Sequence, residues 1–235
     1  MKPPAGVDVA AAARHVLTAI VLLAGSGAGA FAQEPDRFYA GALVGISTLS
    51  ADTRSVTAAP DARVSTYKPE NGPVLNLFAG VDVTPVLSAQ VNYVWNRNQV
   101  TLLSSFLSRT GGGFYEQRRE AGQHAVVGDA LLYFRARGSR ARPYLSTGVG
   151  VVRFDSGEVR SSAESGLTAP EGGIAKTRIG LRVAVGIDLS LGGGWALRYS
   201  FSETISGNPI SPRLMPPGER NLANFDNLFG FVRRL

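Results

Sequence analysis

The chain has two histidines, His15 and His124, and no cysteine. Thiol nucleophiles, disulfides and thiolate metal sites are therefore excluded. A histidine base needs a nucleophile within hydrogen-bond reach and an acid to orient it. Nothing around His124 supplies that pattern, and no group of His, Asp and Glu has metal-ligand spacing. His124 reads as a rim histidine, and no catalytic, cofactor-binding or metal-binding residue is assigned. The residues with regular spacing are charged: Asp82, Asp129, Arg178, Arg182, Asp188 and Arg198, and with them Arg135, Asp226 and Arg234. Each falls on the small or polar row of an alternating segment. Enclosed charges need partners, so their chemistry is first that of an ion-pair and hydrogen-bond network filling a lumen. The sharper alternative is a narrow pore lined by arginines, which would prefer anions.

The segments that position them alternate with period two, so each strand has two unlike faces. Ile179, Leu181, Val183, Val185, Ile187 and Leu189 alternate with Arg178, Gly180, Arg182, Ala184, Gly186 and Asp188. After the turn Ser190-Leu191-Gly192-Gly193-Gly194, the row Trp195, Leu197, Tyr199, Phe201 alternates with Ala196, Arg198, Ser200, Ser202. The glycines and serines of the polar rows suit a narrow, wet interior. Similar segments give expected strands at 37–49, 73–83, 87–102, 119–135, 143–154, 177–189, 195–205 and 222–235. In 119–135 both rows are apolar, and Asp129 and Arg135 alone mark the inner one.

Lys2 and Arg14 precede a short apolar run, Val16 to Ala24, and Ala30-Phe31-Ala32 follows. This is the layout of a secretory signal peptide over 1–32, leaving 33–235 as the mature domain. The alternative is an uncleaved N-terminal anchor, but the run is short for a transmembrane helix. The formal charge is +6, yet the basic residues form no stripe or aromatic-interleaved cluster, so nucleic acid is not an expected partner. Connections between the strands run long, short, long, short, long, short, long. Long ones are expected at 50–72, 103–118, 155–176 and 206–221.

A soluble barrel would show the same alternation turned inside out. Four features favour a membrane, of which three are glycine-rich polar rows, long connections all on one side, and a chain that stops at a strand end. The fourth is that aromatics collect at strand ends (Phe38, Trp95, Phe134, Trp195, Phe225), as interfacial girdles do. The expectation is all-β: an eight-stranded antiparallel up-and-down transmembrane β-barrel, closed because lipid offers no partner to an open edge.

Tyr39-Ala40-Gly41, Pro143-Tyr144 and Gly148-Val149-Gly150 are similar to patterns in a known group. The mature chain resembles the small eight-stranded outer-membrane barrels, porin-like domains that include the transmembrane domain of outer-membrane protein A. The resemblance implies location in the cell outer membrane. It also implies contact with outer-membrane lipid and lipopolysaccharide, and delivery by periplasmic chaperones to the barrel assembly machinery. A monomer without cofactors is expected. Phe229, Phe231 and Leu235 resemble the C-terminal signal which that machinery reads, although Arg233 breaks the row. Anchoring through a peptidoglycan-binding domain, as in the protein A type, is not expected. Outer-membrane lipid A deacylases resemble this group too, but their His-x-Ser element is absent, since Val126 stands two residues after His124.

The leading functional expectation is a non-enzymatic envelope protein with surface-exposed loops; a narrow porin for small solutes is the second, and a lipid A deacylase-type hydrolase the third. Arg135, Arg137, Arg140 and Arg142 form a dense basic turn, either simply solvated or in contact with anionic inner-leaflet lipid or the cell wall.

Overall fold

The computed structural model describes residues 37–49, 53–57, 62–108, 110–164, 172–214, 216 and 220–235. The expected signal peptide lies outside them. Ten strands form one antiparallel sheet: β1 (Phe38–Leu49), β2 (Thr53–Val56), β3 (Ala62–Pro69), β4 (Gly72–Asp82), β5 (Leu87–Ser108), β6 (Gly111–Tyr133), β7 (Ala141–Glu164), β8 (Ile174–Gly192), β9 (Trp195–Gly207) and β10 (Asn221–Arg234). All but β2 and β3 form a closed ring of eight, each paired with its two neighbours. The seam joins β1 to β10, from Tyr39 opposite Arg234 to Leu49 opposite Asn224. Closure gives each wall strand a hydrogen-bonding neighbour on both sides, which hydrocarbon requires.

The connections at one end are short, and the tightest joins β8 to β9. There Gly192, Gly193 and Gly194 take φ of 87°, 58° and 77°, a left-handed run that only glycine adopts without strain. At the other end the expected long connections need correction, because much of their length is paired strand. The stretch 50–72 contains the β2–β3 hairpin, and β3 takes over from β4 as the partner of β5 between Val100 and Leu107. The stretch 103–118 belongs largely to β5 and β6, which pair out to Ser108 and Gly111. β7 likewise continues to Glu164, through much of the third stretch. The physical reason is that one face stays covered beyond the membrane: Val100, Leu102, Ser104, Tyr115, Gln117 and Arg119 are all buried. An antiparallel sheet with one covered face persists in water.

On β8 the outward row is bare, Ile179 at 74% and Leu181 at 62% exposure, whereas Arg182 between them and Val183 is at 2%. The same inversion holds on β9 and β10, where Tyr199, Phe229 and Phe231 face out and Arg198 and Leu228 face in. A cylinder with its greasy rows outside and its arginines inside belongs in lipid. Arg233, which interrupts the outward row of β10, is tied down at the short-turn end. Its guanidinium lies 5.3 Å from the Trp195 ring centroid and bonds the Gly193 carbonyl.

The interior is not the wet channel its glycines suggested. A Cβ on Gly80 would strike the ring of Tyr39, one on Gly41 the ring of Phe78, one on Gly186 the ring of Tyr144, and one on Gly148 the carboxylate of Asp129. Each small residue is a socket for a large side chain from a neighbouring strand. At Gly45 the obstacle is backbone, the carbonyl of Asn227 across the seam. Gly45→Ala is therefore expected to pry β1 from β10 and cost about 1–3 kcal/mol, read as an earlier midpoint of urea unfolding in lipid vesicles.

Candidate functional site

From the long-connection end inward, the lumen begins with an apolar plug. Leu49, Val100, Leu102, Tyr115, Phe154 and Ile174 pack with Ile210 and Leu214, which the β9–β10 connection folds into the mouth. A short 3-10 turn, Ser211–Arg213, and an Asn208 side chain accepting from the amides of Ile210 and Ser211 hold that connection in place.

Below the plug a polar belt crosses the barrel. Ser47 donates to Asn224 (2.6 Å), Asn224 to Asp226 (3.0 Å), and Arg182 donates to Ser202 (3.2 Å) and to Asp129 (3.0 Å). Asn92 also donates to Asp129 (3.0 Å) and accepts from Gln90 (2.7 Å) and Asn76 (3.2 Å). The belt draws on β1, β4, β5, β6, β8, β9 and β10, so it fastens nearly the whole ring.

Next comes Arg198, whose side chain is 1% exposed. Its Nε and Nη2 grip the two carboxylate oxygens of Asp188 at 2.6 and 2.8 Å, Nη1 reaches Gln90 at 2.8 Å, and Nη2 also reaches the Tyr133 hydroxyl at 2.7 Å. Tyr133 in turn donates to Asp188 at 2.9 Å. The guanidinium is walled by aromatic faces, 4.8 Å from Phe78 and 5.1 Å from Tyr144, so cation–π attraction adds to a charge-assisted bidentate pair.

At the short-turn end Asp82 bonds Ser88 and faces Arg137 at 3.1 Å and Arg234 at 3.7 Å. Arg142 lies 3.7 Å over the Tyr133 ring and donates to the Pro85 carbonyl. The basic turn thus divides: Arg137 and Arg142 stopper the base, and Arg135 and Arg140 face solvent.

The structure brings Asp129 and Arg182 together, and Asp188 and Arg198; Asp82 sits lower, with Asp226 in the belt. Arg178 does not join them and is corrected: it is exposed, because β8 runs past its last pairing with β9 at Gly180–Ser206. Arg135 is likewise outside, two residues beyond the end of β6. Sequence reasoning missed Gln90, Asn92, Tyr133 and Tyr144 as members. Tyr133 was within reach, standing four residues from Asp129 on the same inward row.

Between the belt and Arg198, the cavity bounded by Asn76, Gln90, Asp129, Tyr144, Arg182 and Arg198 measures about 10 Å³, space for one water molecule at most. His124 lies on the outer wall, its Nδ1 2.8 Å from the Tyr93 hydroxyl. Among the described residues no group of three or more His, Asp and Glu could hold a metal ion.

A closed eight-stranded ring, apolar outside and packed with paired charges inside, defines a transmembrane β-barrel of the outer-membrane type. The family model for the outer membrane protein beta-barrel domain matches residues 18–227, and the chain belongs to that family. It is an outer-membrane β-barrel protein, resident in the cell outer membrane. In fold it is similar to Neisserial surface protein A, at 14% identity over 84% of this chain and 97% of that one, TM-score 0.51. It is similar too to OprG from Pseudomonas aeruginosa, at 12% identity over 86% and 97%, TM-score 0.51. No curated protein matches it in sequence.

Proposed function

We propose that this protein is a non-enzymatic structural element of the outer membrane, a barrel whose interior serves stability and whose extended outer hairpins serve surface contact. The observation that carries this reading is the succession of apolar plug, polar belt, Arg198 cluster and Asp82 stopper, with about 10 Å³ of free space between the middle two. Ions and solutes crossing the wall would have to break buried ion pairs. The porin reading demands a continuous opening, and the hydrolase reading finds no support at His124, whose ring nitrogen is engaged by Tyr93. The outward Phe229 and Phe231 of β10 suit recognition by the barrel assembly machinery after periplasmic chaperones deliver the chain, and a closed wall suits a monomer.

Planar-bilayer recording tests the proposal. Reconstituted protein is expected to give no unitary current steps under applied voltages of either sign. Reproducible steps, with anion preference lost in Arg182→Ala, would replace the sealed barrel by a pore.

A further inference from the structure

The outward rows of β9 and β10 carry two groups that hydrocarbon cannot satisfy. Asn227 is exposed on the lipid side between its cross-strand partners Ile46 and Phe201, and Glu203 is half-buried there between Val183 and Phe225. Asn227 stands seven residues along β10 from Arg234, and Glu203 eight along β9 from Trp195. A strand tilted by about 40° climbs roughly 2.5 Å per residue, so both lie about 17–20 Å above the short-turn rim, within an apolar band about 25 Å tall. The Tyr199 hydroxyl donates to Asn227 Oδ1 at 3.0 Å. Among the described residues nothing accepts from the Asn227 amide nitrogen, and the Glu203 carboxylate has neither an ion pair nor a donor. Lipid chains offer partners to neither group.

The wall around these two groups has relief. Between them Phe201 and Phe225 stack, ring centroids 6.2 Å apart and planes at 18°. On the far side of Glu203 lies a groove of about 580 Å³, lined by Leu145, Thr147, Val183 and Val185. On the far side of Asn227 the ring of Phe229 stands out at 59% exposure, two residues nearer the rim than Asn227. Groove, carboxylate, aromatic pair, amide and protruding ring thus follow one another across the wall at similar depth.

We infer that this face binds a second copy of the barrel, side by side in the membrane. The order just given is self-complementary about a twofold axis that runs along the membrane normal through Phe201 and Phe225. In that arrangement each Asn227 amide donates to the Glu203 carboxylate of the other barrel, a charge-assisted pair formed twice. Each Phe229 ring enters the other barrel's groove, and the two aromatic pairs meet on the axis. An acyl chain fills the groove equally well but gives Asn227 no acceptor and Glu203 no donor. The inference goes beyond the proposed function: a closed wall lets each chain fold as a monomer, and two folded monomers then associate. Association is reversible, and at large lipid excess acyl chains cover the face again.

Because the chain has no cysteine, Phe225→Cys in lipid vesicles treated with copper phenanthroline should give a disulfide-linked dimer. Val149→Cys, on the lipid side of β7 at 57% exposure, should not. Energy transfer between donor- and acceptor-labelled Leu107→Cys barrels, followed as lipid is added, reads the affinity. In that background Asn227→Leu and Glu203→Leu should each weaken association about tenfold or more. Glu203→Gln keeps an acceptor and should weaken it less. Both leucine variants take a polar group out of hydrocarbon, so their urea midpoints should match or exceed that of the parent, which separates lost association from lost folding. Energy transfer no greater than chance encounter at the same density, cross-linking at 149 as ready as at 225, or undiminished association in both leucine variants would overturn the pairing and leave lipid alone on this face.

Discussion

Asp188→Ala should cost the barrel about 3–5 kcal/mol, measured by reversible urea unfolding in lipid vesicles. The substitution removes both carboxylate oxygens that hold Arg198, at 2.6 and 2.8 Å, and the acceptor of the Tyr133 hydroxyl. What remains is a guanidinium walled by aromatic rings, with Gln90 and Tyr133 as its polar neighbours. An arginine cannot shed its proton to escape, so the whole desolvation penalty falls on the folded state. The companion experiment separates this cause from lost packing. Asp188→Ala combined with Arg198→Leu removes the stranded charge and should recover a large part of the loss, a coupling that a double-mutant cycle reports directly. A single-variant cost below about 1 kcal/mol, the range of solvated pairs, would mean that water reaches Arg198 and that the lumen is not sealed.

The second large effect is expected on the opposite face. Leu181→Arg should cost about 2–4 kcal/mol, the penalty of placing arginine on the lipid side of a barrel at depth. Leu181 stands opposite Val149 on one neighbour and Ile205 on the other, so no carboxylate in its own cross-strand row could neutralise the new charge. Leu107 is the control. It is more exposed, at 70%, but lies at the far end of β5 beyond the membrane, so Leu107→Arg should change stability by less than about 0.5 kcal/mol. Equal costs at the two positions would deny that exposure at Leu181 is exposure to hydrocarbon.

Those two faces were legible in the residues because β8 and β9 carry unlike rows: Leu181 beside Arg182, Leu197 beside Arg198. β6 was harder, since Leu131 and Leu132 are alike in chemistry, and only Asp129 and Arg135 broke the tie. The inward list read from alternation failed at Arg178 for a different reason. Period two says which way a side chain points but not whether a neighbouring strand is there to cover it, and β9 ends its pairing with β8 two residues earlier.

A charged network filling the lumen was legible from the inward rows, but the partners that pack it were not. Gly80 and Tyr39 are far apart in the chain and look like a gap and a misplaced aromatic; they become socket and plug only through the β1–β4 register, where they are partners. Strand length was misread because serines and glycines at 103–118 have the composition of a loop, whereas the buried Leu102, Tyr115 and Gln117 keep the sheet paired.

The central claim is that hydrocarbon covers the apolar rows and protein covers the charged ones. Because the chain has no cysteine, single cysteines placed in turn from position 179 to 185 and from 197 to 201, each carrying a nitroxide in lipid vesicles, test it directly. Collisional relaxation by oxygen, which concentrates in the bilayer, should be high at 179, 181, 183, 185, 197, 199 and 201. At 182, 184, 198 and 200 both oxygen and a water-soluble nickel chelate should relax the label little. Strong nickel relaxation at the odd positions, or oxygen maxima at 182 and 198, would contradict it.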